Sequence, residues 1–175
     1  LLTRNIKQTI TQLGIRENKN YYFSIVHQSH YDSALKMFSD NIIFGHGPKM
    51  FRILCKEKQY YTKYEKNEFN DLIHCSTHPH NSYIQLLAET GVIGFFFPFL
   101  LFLYVSFKLL KHNFAKIING ANTYSNSTIC LISCIFMNLW PLVPTGNFFN
   151  NWLSIFYFLP LAFYLSKYLK RYNSF

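Results

Sequence analysis

The stretch that decides the fold is GVIGFFFPFLLFLYVSFKLL, residues 91–110, in which Lys108 carries the only full charge. Twenty residues at 1.5 Å each make a helix about 30 Å long, which matches the hydrocarbon core of a bilayer. Pro98 would kink this helix, and membrane helices tolerate such a kink when neighbouring groups bond the freed carbonyl. The stretch therefore predicts a first transmembrane helix.

Acidic residues are confined to one half of the chain. All 8 acidic residues lie at or before Glu89, whereas residues 90–175 carry none and contain two more apolar runs, at about 127–143 and 152–169. A set of buried soluble helices would need an acidic or mixed-charge face in that half. We therefore predict an all-α integral membrane protein. Residues 1–90 form a polar segment with short helices, and residues 91–175 form three transmembrane helices.

Basic residues predict the orientation of these spans. They lie in the link between the first two spans and after the third, at Lys108, Lys111, Lys116, Lys167, Lys170 and Arg171. The positive-inside rule makes these ends cytoplasmic, so residues 1–90 and the link 141–151 lie outside, in the periplasm of a diderm bacterium. A polar segment needs an upstream span to reach that side, and the chain opens on Leu1 with no apolar leader. We expect it to be the C-terminal portion of a longer polytopic protein.

A glycine-rich turn follows a predicted helix at about 29–39. In NIIFGHGPKMFR, residues 41–52, two glycines and a proline within four positions force a tight turn whose backbone N–H groups could point at an anion. Lys49 and Arg52 add positive charge beside it. Such a sequence is more often only a turn, and it lacks the spacing of a phosphate-binding P-loop or a dinucleotide fingerprint.

The four cysteines fall into two pairs. Cys55 and Cys75 flank a charged, tyrosine-rich surface loop at about 59–71. In an oxidising periplasm this pair is better interpreted as a disulfide than as metal ligands. Cys130 and Cys134 lie one helical turn apart inside a predicted span, and we interpret them as packing residues.

Histidines cluster in HCSTHPHN, residues 74–81. A zinc site is disfavoured because His78 and His80 straddle Pro79, the nearby thiols are predicted to be oxidised, and no HExxH helix is present. The alternative is one imidazole at the start of a helix, whose N-terminus disfavours the imidazolium and keeps the ring ready to accept a proton. From this stretch alone, a surface histidine is an equally good interpretation.

Three motifs in order resemble the O-antigen ligase and O-antigen polymerase superfamily. The first is an aromatic–Gly–x–Gly–Pro turn at 44–48 after a periplasmic helix, and the second is His80-Asn81 followed, nine residues later, by Gly91-x-x-Gly94. The third is the Pro-rich and Asn-rich loop 141–152 before a late transmembrane helix. Together they cover about 29–152, most of the chain.

The resemblance implies an inverting, metal-independent glycosyltransferase of the bacterial inner membrane that needs no cofactor. His80 would act as general base on the acceptor hydroxyl, and Arg52 would bind the diphosphate of the polyprenyl-linked glycan donor, with Arg4 as a weaker candidate. The other substrate-binding residues implied are Lys49, Gly45, Gly47 and Asn81.

Two enzyme activities and one non-enzymatic role stay open at this point. A ligase transfers the glycan to a lipid A core, a polymerase transfers it to another repeat unit, and a non-catalytic membrane scaffold would keep only the fold. The expected partners are the glycan donor, the acceptor and the lipid bilayer. The polar half holds 11 basic and 8 acidic residues, a nearly balanced surface, and no nucleic acid is expected.

Overall fold

The computed structural model describes residues 24–62 and 74–172, which are helical and contain no β-strand. The elements are α1 (Ile25–Asp40), α2 (Phe51–Leu54), a short 3-10 helix (Lys58–Tyr60), α3 (Ser82–Asn119), α4 (Asn126–Asn138) and α5 (Asn151–Tyr172). The all-helical prediction is confirmed for this part of the chain. Residues 1–23, which include Arg4, and most of the tyrosine-rich loop lie outside the described residues.

The chain divides into two compact units. The described part of the first, which we call the polar unit, comprises residues 24–62, 74–94 and 144–147. The second, the apolar unit, comprises residues 95–143 and the described residues from 148 onward. The four residues 144–147 thus join a unit whose other residues lie far earlier in the sequence.

Helix α1 organises the polar unit. It begins at Ile25, four residues before the predicted start, because the Ser24 side chain accepts a hydrogen bond from the His27 backbone N–H at 3.3 Å and caps the helix. Its buried residues join an apolar core with residues of α2, the 3-10 helix and α3: Ala34, Met37, Phe51, Cys55, Tyr60 and Ala88.

Helix α3 is interrupted at Gly91. The backbone there has φ 62° and ψ −165°, a conformation that is essentially restricted to glycine. The interruption therefore falls on the first glycine of the Gly91-x-x-Gly94 motif. After the break the helix continues through Pro98 to Asn119, nine residues beyond the predicted end of the span at Leu110.

Length and composition make α3 and α5 candidates to cross a membrane. Helix α4 has 13 residues, so it is only about 20 Å long. The predicted second span at 127–143 is therefore not continuous helix, since the helix ends before Leu139 and Pro141 cannot continue it. The buried core of the apolar unit combines residues from all three helices: Val105, Ile132, Ile135, Leu139 and Tyr164.

Candidate functional site: a histidine cluster in the polar unit

His80 lies at the centre of a cluster of four histidines. Its ring centroid is 4.2 Å from that of His78, 5.2 Å from that of His30 and 5.3 Å from that of His27. The sequence placed only His78 beside His80. The other two come from α1, about 50 residues earlier in the chain.

Helix α1 can supply two rings because His27 and His30 are three residues apart and so occupy one face of the helix. His30 is buried, and its ring meets that of Phe51 edge-on at 6.4 Å. Phe51 directly precedes Arg52. Helix α1 therefore connects His80 with the turn that carries the predicted phosphate-binding residues, which the sequence pattern did not reveal.

The backbone at His80 is held in an uncommon conformation. Its φ is 60°, a left-handed value that few residues other than glycine adopt. The His80 carbonyl accepts a hydrogen bond from the Thr145 N–H at 2.8 Å, and His78 Nε2 lies 3.2 Å from the Thr145 carbonyl, to which it donates. The hydroxyls of Ser82 and Thr145 also bond each other at 2.8 Å. Thr145 thus forms hydrogen bonds with His78, His80 and Ser82 and holds the histidine segment in place.

The surroundings of the cluster keep its central rings neutral. Burial, followed by the neighbouring His78 and His27, lowers the pKa of His80 from 6.5 to about 4. Burial and then His80 lower the pKa of His30 to about 3. A neutral His80 was predicted, but for another reason: α3 starts only at Ser82, and desolvation is the main cause. Among the described residues, no group of three or more His, Cys, Asp or Glu is arranged to hold a metal ion.

The backbone N–H groups of the Gly45–Pro48 turn do not form a free anion site. Those of His46 and Gly47 donate to the Ala88 and Glu89 carbonyls, at 3.1 and 2.7 Å. The Glu89 carboxylate is fully buried and accepts the N–H groups of Lys49 at 3.0 Å and Phe51 at 2.9 Å. The anion that the turn binds is therefore a side chain of α3.

The two glycines and Asn81, whose substrate-binding role stays a prediction, have structural roles. A Cβ added to Gly45 would lie 2.5 Å from the Glu89 backbone carbon, so glycine permits the close approach of the turn to α3. Gly47 has φ 104°, a value that side chains disfavour. The Asn81 side-chain oxygen accepts the N–H groups of Tyr83 and Ile84, and Asn81 therefore caps α3.

Of the three predicted basic residues, the structure describes Lys49 and Arg52. Lys49 and Arg52 are both exposed on the turn beside Glu89, so their side chains are the groups of this turn that are available to an anion. Arg4 lies outside the described residues.

The two cysteines of the predicted pair form a disulfide. The Cα atoms of Cys55 and Cys75 lie 5.2 Å apart, and the bond joins residues 20 positions apart in sequence. The buried His74 ring is next to it, with Nε2 donating to the Cys55 carbonyl at 3.0 Å. The disulfide thus ties the end of α2 to the start of the histidine segment.

Comparison with protein families matches residues 28–99 to the O-antigen ligase model. This segment is similar to the O-antigen ligase family. The matched segment contains three of the four clustered histidines, the glycine turn and the disulfide. The match confirms the resemblance carried by the first two sequence motifs. No match is found among curated proteins or among solved structures.

The similarity to the O-antigen ligase family indicates a general class of activity. Its members are membrane proteins of polysaccharide synthesis that act as ligases or polymerases on glycan and lipid-linked substrates. The match ends at residue 99, so residues 144–147, which include Thr145, lie outside it.

Proposed function

We propose that this chain carries the periplasmic catalytic segment of an O-antigen ligase, which transfers a glycan from a polyprenyl-diphosphate carrier to a lipid A core. The observation that supports this most is His80, whose neutral ring lies among three other imidazoles and whose backbone is fastened by Thr145. A base must be unprotonated and positioned before it can take a proton. His80 meets both requirements.

In the proposed reaction, the His80 ring takes the proton of an acceptor hydroxyl while that oxygen attacks the anomeric carbon of the donor. The bond between this carbon and the diphosphate oxygen breaks, and polyprenyl diphosphate leaves with both bonding electrons. Attack from the face opposite the leaving group inverts the anomeric configuration. The proton then passes from the imidazolium to water.

The leaving diphosphate gains negative charge, which we assign to the Arg52 and Lys49 side chains. Both are exposed, and a guanidinium can make two charge-assisted bonds to phosphate oxygens. The turn amides take no part because Glu89 and the α3 carbonyls already use them. His27 and His30 are positioning residues, since they act on His80 through ring contacts.

We place the site at the periplasmic face of the bacterial inner membrane. The support is the distribution of Lys and Arg at the ends of the apolar helices, together with the length of α3 and α5. In this topology the second crossing comprises α4 and the apolar residues 139–143 that follow it. Pro144 then begins the segment that returns to the histidines.

The test compares His80→Gln with His78→Gln in the full-length protein, with glycan transfer as the readout. We expect His80→Gln to lose about 100-fold or more of kcat, since general bases contribute about 10²–10⁴. Loss of donor binding should be smaller. His78→Gln keeps a hydrogen-bonding side chain near Thr145 and should be milder. Equal losses in the two variants would show that the pair is structural and that His80 is not the base.

Lipopolysaccharide gels of a deletion strain distinguish the acceptors. Loss of all capped core indicates a ligase, and a ladder reduced to a single repeat indicates a polymerase. Full transfer by His80→Ala would exclude the catalytic proposal and leave the scaffold role.

A further inference from the structure

Three consecutive large apolar side chains are exposed on the polar unit. Ile42, Ile43 and Phe44, which we call the apolar tip, have 51%, 57% and 70% of their surface exposed. They connect the end of α1 to the Gly45 turn. Runs of exposed apolar residues are unfavourable in water and mark surfaces that contact an apolar medium or a partner.

The backbone of the apolar tip bonds the first turn of the apolar part of α3. The Val92 N–H donates to the Ile42 carbonyl at 2.8 Å, and the Ile93 N–H points at the Ile43 carbonyl at 3.4 Å. The break at Gly91 starts a new helical segment, whose first N–H groups have no partner within the helix. The apolar tip supplies carbonyls for two of them.

This pairing matters most in lipid. Water can bond the free N–H groups of a helix that starts in solvent, whereas in hydrocarbon each unsatisfied group costs several kcal/mol. Capping Val92 and Ile93 with backbone carbonyls that carry apolar side chains fits a helix start below the water surface.

The position of the apolar tip is fixed on both sides. A Cβ at Gly91 would lie 2.3 Å from the Ile43 carbonyl oxygen, and one at Gly45 would lie 2.5 Å from the Glu89 backbone carbon. The two glycines let the backbones touch directly. The apolar tip cannot turn its side chains elsewhere without separating these backbones.

We propose that the apolar tip is inserted into the acyl-chain region of the outer leaflet, beside the apolar part of α3 that begins after Gly91. Lipid is favoured over a protein partner because the apolar tip is bonded to the helix turn at which the apolar sequence begins. The inference concerns membrane contact and does not require glycosyl transfer. Together with the proposed function, it keeps Lys49 and Arg52, a few residues further along the same turn, at headgroup depth, where the diphosphate of a lipid-linked donor lies.

Tryptophan fluorescence tests the insertion. The two native tryptophans, Trp140 and Trp152, are replaced by Phe, and Phe44→Trp is introduced in the full-length protein. The protein is reconstituted in phosphatidylethanolamine/phosphatidylglycerol vesicles with bromine on the acyl chains. Lys58→Trp is the matched control, because Lys58 is exposed beside the charged residues Lys56 and Glu57. We expect strong quenching of Phe44→Trp and several-fold weaker quenching of Lys58→Trp.

Two outcomes would overturn the proposal. Equal quenching at both sites would mean that the apolar tip is no deeper than the rest of the polar unit. Unquenched, blue-shifted emission from Phe44→Trp would mean that protein and not lipid covers it. If Phe44→Trp does not fold, Ile43→Cys and Lys58→Cys in a Cys130→Ser/Cys134→Ser background replace it. Slower labelling of Ile43→Cys by a membrane-impermeant maleimide supports insertion, and equal rates contradict it.

Discussion

At the scale of single residues, the histidine cluster desolvates the His80 ring and so keeps it neutral. Burial lowers the pKa of His80 most, and the neighbouring His78 and His27 lower it further. Both effects favour the neutral imidazole. Under the proposed function, the same surroundings also lower the strength of His80 as a base, so the acceptor hydroxyl would have to be held close to the ring.

The pH dependence of transfer follows from this. A base works only when unprotonated, and the pKa of free His80 is lowered to about 4. We expect kcat/KM to stay constant as the pH falls from about 8 to about 5 and to be half lost near pH 4, provided the fold survives. The measurement is the pH profile of kcat/KM in reconstituted vesicles, with circular dichroism at each pH as the control.

Removing a neighbouring ring should move the acid limb of the kcat/KM profile, where activity is lost as the pH falls, to higher pH. Because His30 helps to bury His80, His30→Ala should shift the acid limb toward the ordinary histidine value of 6.5. An acid limb near 6.5 in the unmodified protein would contradict the role given to the cluster.

The sequence predicted part of this residue-scale picture. His80 and the disulfide cysteines stand out in the local pattern. His27 and His30 were missed, although their spacing on one helix face was a signal that they act together. Thr145 carried no local signal, because its bonds to the histidine segment span 65 to 67 positions.

At the scale of elements, the contact between the glycine turn and α3 depends on the absence of two Cβ atoms. Gly45 and Gly120 offer a matched comparison, because their φ values are 65° and 64°, whereas only Gly45 has backbone atoms within 4 Å of an added Cβ. Alanine should cost about 1–2 kcal/mol at either site for the left-handed backbone. Overpacking should add about 1–3 kcal/mol at Gly45.

Thermal unfolding in detergent measures the difference. Gly45→Ala should lower Tm more than Gly120→Ala does, and it should reduce transfer as well, because the turn that carries Lys49 and Arg52 shifts. Equal changes in Tm would mean that the turn and α3 do not need to touch.

Glu89 shows what the sequence pattern of the turn could not reveal. A Gly-x-Gly-Pro turn beside Lys49 and Arg52 has the composition of an anion site, and the carboxyl group of Glu89 accepts its N–H groups. The occupant comes from α3, about 40 residues later, and is held in turn by Gln85 at 2.9 Å. Local composition predicted the charge of the ligand, and only the fold could show that the chain supplies it.

At the scale of the whole molecule, the Cys55–Cys75 bond limits how far the polar unit can open. Closing a loop of 20 residues should stabilise the fold by about 3 kcal/mol in the chain-entropy model. Cys55→Ser/Cys75→Ser, or a reductant, should lower Tm accordingly. The matched control is Cys130→Ser/Cys134→Ser, since these thiols are free and exposed. A Tm that does not respond to reductant would contradict the prediction.

The charge pattern predicted a polar segment at 1–90 and a membrane segment at 91–175, because ionised groups are costly in hydrocarbon, and this division stays a prediction. It predicted the length of individual helices less well. Helix α4 ends at Asn138, before Pro141 and short of the predicted end at 143, and α3 continues nine residues beyond Leu110. It also could not assign residues 144–147 to the polar unit, since that depends on bonds with His80 and Gln85.

The hydrogen bonds of Thr145 also mean that the histidine segment is completed only late in synthesis of the chain. His78 leaves the ribosome 67 residues ahead of Thr145, so at about 5–20 residues per second the site stays incomplete for about 3–13 s. During that interval the His80 carbonyl lacks its hydrogen bond from the Thr145 N–H. Under the proposed function, a nascent chain is therefore expected to transfer no glycan until Thr145 has been synthesised.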